Sequence, residues 1–119
     1  MKESAKFAAI AYHSLDDKKG EDIRILDISK VSIIADYFVI ASGSNTNQLL
    51  AMCDDVQEKL GRAGLELRQM EGNRSSSWIL LDYGDIIIHL FSRDDRLFYD
   101  LERVWGDGKE VGIAELETE

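Results

Sequence analysis

The feature that most limits how this chain can fold is a hairpin pattern over residues 77–91. The first arm alternates, so that Trp78, Leu80 and Asp82 share one face of a strand and the apolar residues between them share the other. Gly84 follows at a corner that suits a type I turn with a glycine bulge. The second arm is almost wholly apolar, which is typical of a strand inside a sheet.

Two interpretations of the Trp78 face follow from this pattern. If Ile79 and Leu81 face the core, the Trp78 face is open, and an indole on an open sheet face is a natural anchor for a protein partner. If a helix covers that face instead, Trp78 belongs to the core. The alternation of a single strand does not distinguish between these two arrangements.

The length of the chain, 119 residues, allows a single hydrophobic core and is too short for two. We expect one domain over residues 1–105 and an acidic, flexible tail over residues 106–119. No run approaches the ~20 apolar residues of a membrane-spanning helix, and the amphipathic, acid-containing N-terminus is unlike a signal peptide. Cys53 is the only cysteine, so a buried thiol in a reducing cytoplasm fits best.

The charge of the chain separates two classes of partner. Fourteen Lys and Arg residues against 23 Asp and Glu give a formal net charge of −9, and no basic stretch interrupts the acids. Binding to bare nucleic acid usually depends on clustered positive charge, which this sequence lacks. The composition therefore favours a basic protein as partner. The alternative is that the acidity only keeps the domain soluble.

Apolar periodicity predicts an α+β fold with one mixed sheet. Helical patterns lie at residues 4–19, 45–62 and 93–105. Asn45 and Gln48 resemble a capping box at the start of the second helix. Strands are predicted in the two hairpin arms and at residues 23–28, 37–41 and 65–71. The order α-β-β-α-β-β-β-α gives a five-stranded mixed sheet flanked by helices.

A glycine-serine turn provides the best case for an enzyme. Gly43 and Ser44 connect a predicted strand to a predicted helix, and a helix N-terminus presents N–H groups that can hold a phosphate. The arrangement is similar to the entry motif of the nucleotidyltransferase superfamily. Those enzymes also require two carboxylates one residue apart on a following strand, to hold divalent metals. Here Glu66 has Arg68 as its same-face neighbour, so nucleotide binding or nucleotidyltransferase-like activity is only the alternative function.

The histidines form no pattern that indicates catalysis. His13 lies on the first predicted helix, and His89 lies on the last strand, too far from Asp85 for direct pairing along that strand. We expect His89 to be a hydrogen-bonded histidine in the core or at its rim. The sequence indicates no catalytic residue, no metal site and no cofactor.

Three blocks of the sequence resemble the ribosomal silencing factor (Iojap) family, in the family's order. The first block is LDIS followed by ADYFVIASGS, the second is EG followed by WILLDYGDIIIH, and the third is RLFYDLERVW. Together they extend over the chain up to Trp105. The resemblance implies a fold related to nucleotidyltransferases that lacks their catalytic carboxylates.

The resemblance also implies a function in translation. Members of the family bind the large ribosomal subunit through its ribosomal protein number fourteen, on the face that meets the small subunit. They thereby block subunit joining and lower translation when nutrients are short. The implied mechanism is steric and needs neither an enzymatic step nor a cofactor, and a homodimer of the free protein is left open.

The same resemblance implies which residues dock on the ribosome. It assigns the centre of the docking surface to Trp78, Leu80, Asp82 and Tyr83. The expectation extends to Glu71, Arg74, Asp85 and Tyr99. An apolar anchor with acids around it suits a basic, partly apolar protein surface, with Trp78 as the expected hot spot.

Overall fold

Strands from both halves of the chain form one mixed sheet in the computed structural model, which describes residues 3–72, 78–93 and 108–118. The elements in chain order are α1 Glu3–Asp17, β1 Glu21–Asp27, β2 Tyr37–Gly43, α2 Thr46–Arg62, β3 Gln69–Glu71, β4 Trp78–Asp82, β5 Ile86–Ser92, β6 Lys109–Val111 and α3 Ile113–Thr118. No helix in these three described stretches is long and apolar enough to cross a membrane.

The sheet has the strand order β3-β4-β5-β2-β1-β6. β2 and β5 form a parallel pair at its centre, with Tyr37 opposite Ile86 and Gly43 opposite Ser92. The other neighbouring strands pair in antiparallel fashion. Both central strands are buried along almost their whole length, as their continuous apolar sequences predict. The predicted α+β class with a mixed sheet is confirmed, but the sheet has six strands and not five.

The additional strand lies in the segment that the sequence assigned to a flexible tail. β6 pairs with β1, with Val111 opposite Ile25, and α3 packs on α1. Because residues 109–118 form a strand and a helix, the expectation of an unstructured tail is wrong for them. Val111 and Leu116 are buried, and so few apolar positions among acids are too weak a pattern to predict either element. The expected domain boundary at residue 105 lies outside the described residues.

α1 and α2 cover one face of the sheet and form the larger core with it. The apolar stripe of α2 buries Leu49, Cys53, Val56 and Leu60, as its spacing predicts. Burial raises the pKa of the Cys53 thiol, which keeps this group in its neutral form. The third predicted helix, residues 93–105, lies outside the described residues except for Arg93.

Gln48 joins the end of α1 to the start of α2. Its backbone N–H donates to Asn45 Oδ1 at 2.8 Å, as a capping box requires. Its side-chain Oε1 accepts from the N–H of Ser44 at 2.6 Å, one residue earlier than in a capping box. Its Nε2 donates to the carbonyl oxygen of Lys19 at 2.8 Å, just beyond α1. One side chain therefore bonds to backbone groups near two helix ends.

The edge strand β3 is shorter than predicted. The sequence predicts a strand over residues 65–71, but only Gln69–Glu71 pairs with β4. Leu65 and Leu67 are partly buried against the larger core while lying outside the strand. The alternation of residues 65–68 therefore reflects packing of an irregular segment, which the sequence pattern does not distinguish from sheet pairing.

The hairpin formed by β4 and β5 turns at Gly84, as predicted, but the predicted type I turn with a glycine bulge is wrong. Asp82 lies opposite Ile87, so the loop between the paired residues Tyr83 and Ile86 consists of Gly84 and Asp85 alone. Gly84 has a φ angle of 88°, in the region that residues with a side chain rarely adopt. The N–H of Tyr83 donates to the carbonyl oxygen of Ile86 at 3.0 Å and closes the turn. Across the hairpin, Trp78 lies opposite Phe91 and Leu80 opposite His89.

Candidate docking surface

The sheet face that α1 and α2 leave uncovered carries a smaller apolar cluster, called here the second cluster. Its buried members come from β1, β2, β5 and the loop between β1 and β2, and they are Leu26, Ile28, Ala35, Phe38, Ile40, Ile87 and Phe91. Trp78 and Leu80 pack against this cluster and are partly buried. Ile79 and Leu81 are buried in the larger core, so the predicted division of β4 between two faces is confirmed. The Trp78 face is neither fully open nor fully covered.

Three parallel rings hold the Trp78 indole in place, and they are called here the ring stack. The centroids of Trp78 and Phe91 are 5.7 Å apart, with 4° between the ring planes. His89 lies 6.2 Å from Trp78 at 9° and 6.2 Å from Phe91 at 6°. Aromatic pairs at such distances contribute about 0.5–1.5 kcal/mol beyond the area they bury. The stack therefore orients a partly buried indole before any partner arrives.

His89 is the buried member of the ring stack. Its side chain is 5 % exposed, and neither ring nitrogen has a hydrogen-bond partner in the described part of the chain. Phe38 packs edge-on against it at 4.8 Å. Burial lowers the pKa of His89 to about 4, because the apolar surroundings disfavour the charged ring. The predicted core position is confirmed, but the expected hydrogen bonds are not present among these residues.

Acidic residues surround the Trp78 face at the turn and at the sheet edge. Asp82 is half-buried, and its Oδ1 accepts from the N–H of Gly84 at 2.8 Å. Asp85 is exposed, and its backbone carbonyl accepts from the N–H of Asp36 at 2.7 Å. Glu71 on β3 lies opposite Leu80 and is exposed. Asp82 and Glu71 thus share the sheet face of Trp78 and Leu80, whereas Asp85 lies at the turn, in a pocket that it lines together with Tyr83.

Tyr83 does not lie on this surface, and its assignment to the docking surface is corrected. Its side chain is only 4 % exposed and is buried in the larger core, on the side that α1 and α2 cover. Burial raises the pKa of its hydroxyl to about 12. The period of two that places Trp78, Leu80 and Asp82 on one face places residue 83 on the other, so the sequence already contained this signal.

Two other predicted docking residues, Arg74 and Tyr99, lie outside the described residues. Phe91, which forms the ring stack with Trp78 and His89, was not among the side chains singled out from the sequence. The signal for it was available, because residues 87, 89 and 91 share one face of the second hairpin arm. Only the register of the hairpin, which sequence alone did not fix, places Phe91 directly opposite Trp78.

Comparison with known proteins identifies the family. The family model described as ribosomal silencing factor during starvation matches residues 1–119. The chain belongs to this family. It is 39 % identical over 98 residues to the ribosomal silencing factor RsfS of Bacillus subtilis, covering 82 % of this chain and 83 % of the relative. It is 44 % identical over 97 residues to RsfS of Zymomonas mobilis, covering 82 % and 73 %.

More distant relatives and solved structures agree with this assignment to the ribosomal silencing factor family. The chain is 32 % identical over 116 residues to the chloroplastic protein Iojap of Arabidopsis thaliana, of which it covers 46 %. A crystal structure of a protein from Chromobacterium violaceum matches with a TM-score of 0.85 and 34 % identity, covering 97 % of this chain and 98 % of that one. A crystal structure from Bacillus halodurans matches with a TM-score of 0.76 and 31 % identity, covering 87 % and 93 %.

In this silencing-factor fold, the glycine-serine turn serves packing and capping. A Cβ atom on Gly43 would lie 3.1 Å from Leu49 Cδ2, so the glycine allows α2 to approach β2. The N–H of Ser44, which could face a phosphate, already donates to Gln48. No group of three or more His, Cys, Asp or Glu side chains in residues 3–72, 78–93 and 108–118 is placed to hold a metal ion. No feature of the turn favours the nucleotidyltransferase alternative.

Proposed function

We propose that this chain binds the large ribosomal subunit and prevents the small subunit from joining it. The names of its relatives support a role in silencing ribosomes, and the family description links that role to starvation. A block of subunit joining in the cytoplasm lowers translation without damage to either subunit. In this mechanism, occupation of the joining face of the large subunit is sufficient to silence it.

The partner within the subunit is, in this proposal, ribosomal protein number fourteen, as the resemblance implies. Two properties of the chain support a basic protein partner. The formal net charge of −9 attracts positive surfaces over long distances. Asp82 and Glu71 flank an apolar centre and Asp85 adds a charge at the turn, and complementary charge at a rim accelerates association and fixes orientation.

The observation that carries the proposal is the half-buried Trp78 in its ring stack beside the acidic turn. Hot spots of protein interfaces are rich in tryptophan and are held in well-packed surroundings. The indole here is already packed on Phe91 and His89, while part of it stays available to a partner. Leu80, on the same face, adds apolar surface to the centre of the contact.

The proposed mechanism is steric and uses no catalysis or cofactor. A folded domain on the joining face of the large subunit fills the space that the small subunit must enter. The affinity of the domain for the large subunit and the concentration of the domain then set the fraction of subunits that can still join. Such control is reversible, because release of the domain restores the joining face unchanged.

A subunit-joining assay tests this proposal. Purified large and small subunits are mixed at constant Mg²⁺, with and without excess protein, and are separated on a sucrose gradient. We expect joined ribosomes to shift to free subunits, with the protein sedimenting on the large subunit. Undisturbed ribosomes, with all of the protein at the top of the gradient, would contradict the proposal.

A further inference from the structure

Three apolar side chains are exposed on the loop between β1 and β2, and they are called here the loop tip. Ile33 is fully exposed, Ile34 is 66 % exposed and Val31 is 41 % exposed. Within the described stretches, Met70 is the only other large apolar residue of this kind, at 48 %. A single exposed apolar residue is ordinary, but a group of them marks an interaction surface.

The loop holds its tip in a defined position. The N–H of Val31 and that of Ser32 both donate to the carbonyl oxygen of Ile28, at 3.0 and 2.8 Å. The N–H of Ile34 donates to Ser32 Oγ at 3.2 Å. Since the backbone on both sides of Ile33 is hydrogen-bonded, the fold itself presents this side chain to the surroundings.

The loop tip is continuous with the proposed docking surface. Ile28 and Ala35, at the two ends of the loop, are buried in the second cluster, against which Trp78 also packs. Asp36, which follows the loop, donates its N–H to the carbonyl oxygen of Asp85 at 2.7 Å. The tip therefore lies at the end of the sheet where the β4–β5 turn is, and its base is on the face that carries the indole.

We propose that Ile33 and Ile34 form a second apolar contact with the same basic protein partner that Trp78 contacts. This inference rests on the proposed function and extends the contact area beyond the β4–β5 hairpin. The exposed Asp85 lies beside the base of the loop, and together with the formal net charge of −9 it favours a basic occupant.

A double variant, Ile33→Ser with Ile34→Ser, tests the contact through binding to purified large subunits. We expect the dissociation constant to rise about tenfold or more, because both side chains lose their burial against the partner. Both residues are exposed in the free protein, so the thermal midpoint should stay close to that of the parent chain. Met70→Ser removes an exposed apolar side chain from β3 and is the matched control, with binding unchanged.

Charge substitutions at the tip test the chemistry of the partner. Ile33→Lys and Ile33→Glu both remove the apolar contact, but only the lysine is repelled by a basic surface. We therefore expect weaker binding to large subunits for Ile33→Lys than for Ile33→Glu, with the difference shrinking at high salt. The opposite order would overturn the assignment of a basic partner at this position.

The remaining outcomes separate this inference from the proposed function. If the double variant binds as the parent does while Trp78→Ala binds weakly, the loop tip is no contact and the proposed function stands. If the parent chain does not bind large subunits, both fail together. If the double variant changes only the oligomeric state in light scattering and leaves subunit binding intact, the tip belongs to a self-interface and the inference is wrong.

Discussion

At the scale of single residues, Trp78 differs from an ordinary exposed tryptophan because its orientation is already fixed. The indole lies parallel to Phe91 and His89, and these two rings are buried. An anchor that is ordered before binding loses less conformational entropy when the partner arrives. On the proposed docking surface, the ring stack would therefore raise the affinity through residues that the partner does not touch.

Truncation of Trp78 is the first prediction. Trp78→Ala should weaken binding to large subunits by at least ~2 kcal/mol, or about thirtyfold, because the hot spot and its stack are both lost. Trp78→Phe keeps a ring that can stack on Phe91 and should retain a larger share of the affinity. Sedimentation with purified large subunits measures both constants, and a folded alanine variant with an unchanged constant would remove Trp78 from the docking surface.

Acid sensitivity through His89 is the second prediction. Its pKa is lowered to about 4 in the folded protein, from an ordinary value of 6.5. Between these values the unfolded chain binds a proton that the native protein excludes, so the free energy of unfolding falls as the pH drops from about 6.5 to about 4. The shift corresponds to roughly 3 kcal/mol at most.

Urea unfolding of the parent chain and of His89→Phe across this pH range measures the effect. The phenylalanine keeps an aromatic ring in the stack but does not titrate, so the variant should lose less stability on acidification. Carboxylates titrate in both proteins, and the comparison removes their shared contribution. Identical pH dependence in the two proteins would show that His89 is not the group responsible.

At the scale of elements, the junction between α1 and α2 depends on one amide side chain. Gln48→Ala removes the acceptor for the Ser44 N–H and the donor to the Lys19 carbonyl together. We expect a loss of about 1–2 kcal/mol of stability, as for other helix-end hydrogen bonds. Asn47→Ala, at an exposed position in the same turn, is the control and should change stability by less than about 0.5 kcal/mol. Thermal or urea unfolding of both variants distinguishes the two results, and equal losses would contradict the bridging role.

The elements that sequence predicted well are those with long or alternating apolar patterns. β2, β4, β5 and α2 agree with their predicted positions, and Gly84 has the positive φ angle expected at the turn. β6 and α3 were not predicted, because only a few of their residues are apolar and these residues pack on distant parts of the chain. The apolar pattern of residues 109–118 does not show that this segment pairs with the edge strand β1, because that edge is formed by a distant part of the chain.

On the proposed docking surface, too, the features set by local sequence were predictable and those set by distant contacts were not. Alternation placed Trp78, Leu80 and Asp82 together, because a strand alternates whatever its surroundings. The partial burial of Trp78 and the unpaired ring nitrogens of His89 within the described residues depend on strand register and on what packs across the second cluster. Tyr83 is one residue out of phase with these three, so the same alternation places its side chain in the larger core and not on the docking surface.

At the scale of the whole molecule, the formal net charge of −9 predicts salt-dependent association. The rate constant for binding to large subunits should fall severalfold as monovalent salt is raised at fixed Mg²⁺, with little change in dissociation. Asp85→Asn removes one exposed charge from the surface and should lower both the rate at low salt and its salt dependence. Stopped-flow mixing with labelled protein measures these rates, and a salt-independent association rate would exclude electrostatic steering.

The sheet order has a consequence for how this protein is made. Tyr37 of the central pair lies opposite Ile86, and Ile25 of the outer pair lies opposite Val111. Segments that are synthesised early therefore pair with segments that are synthesised late. Most of the nascent chain must therefore emerge from the exit tunnel before the sheet can form. Long-range strand pairing of this kind is also slow. The ring stack of Trp78, His89 and Phe91 therefore takes shape late, when most of the chain has already been made.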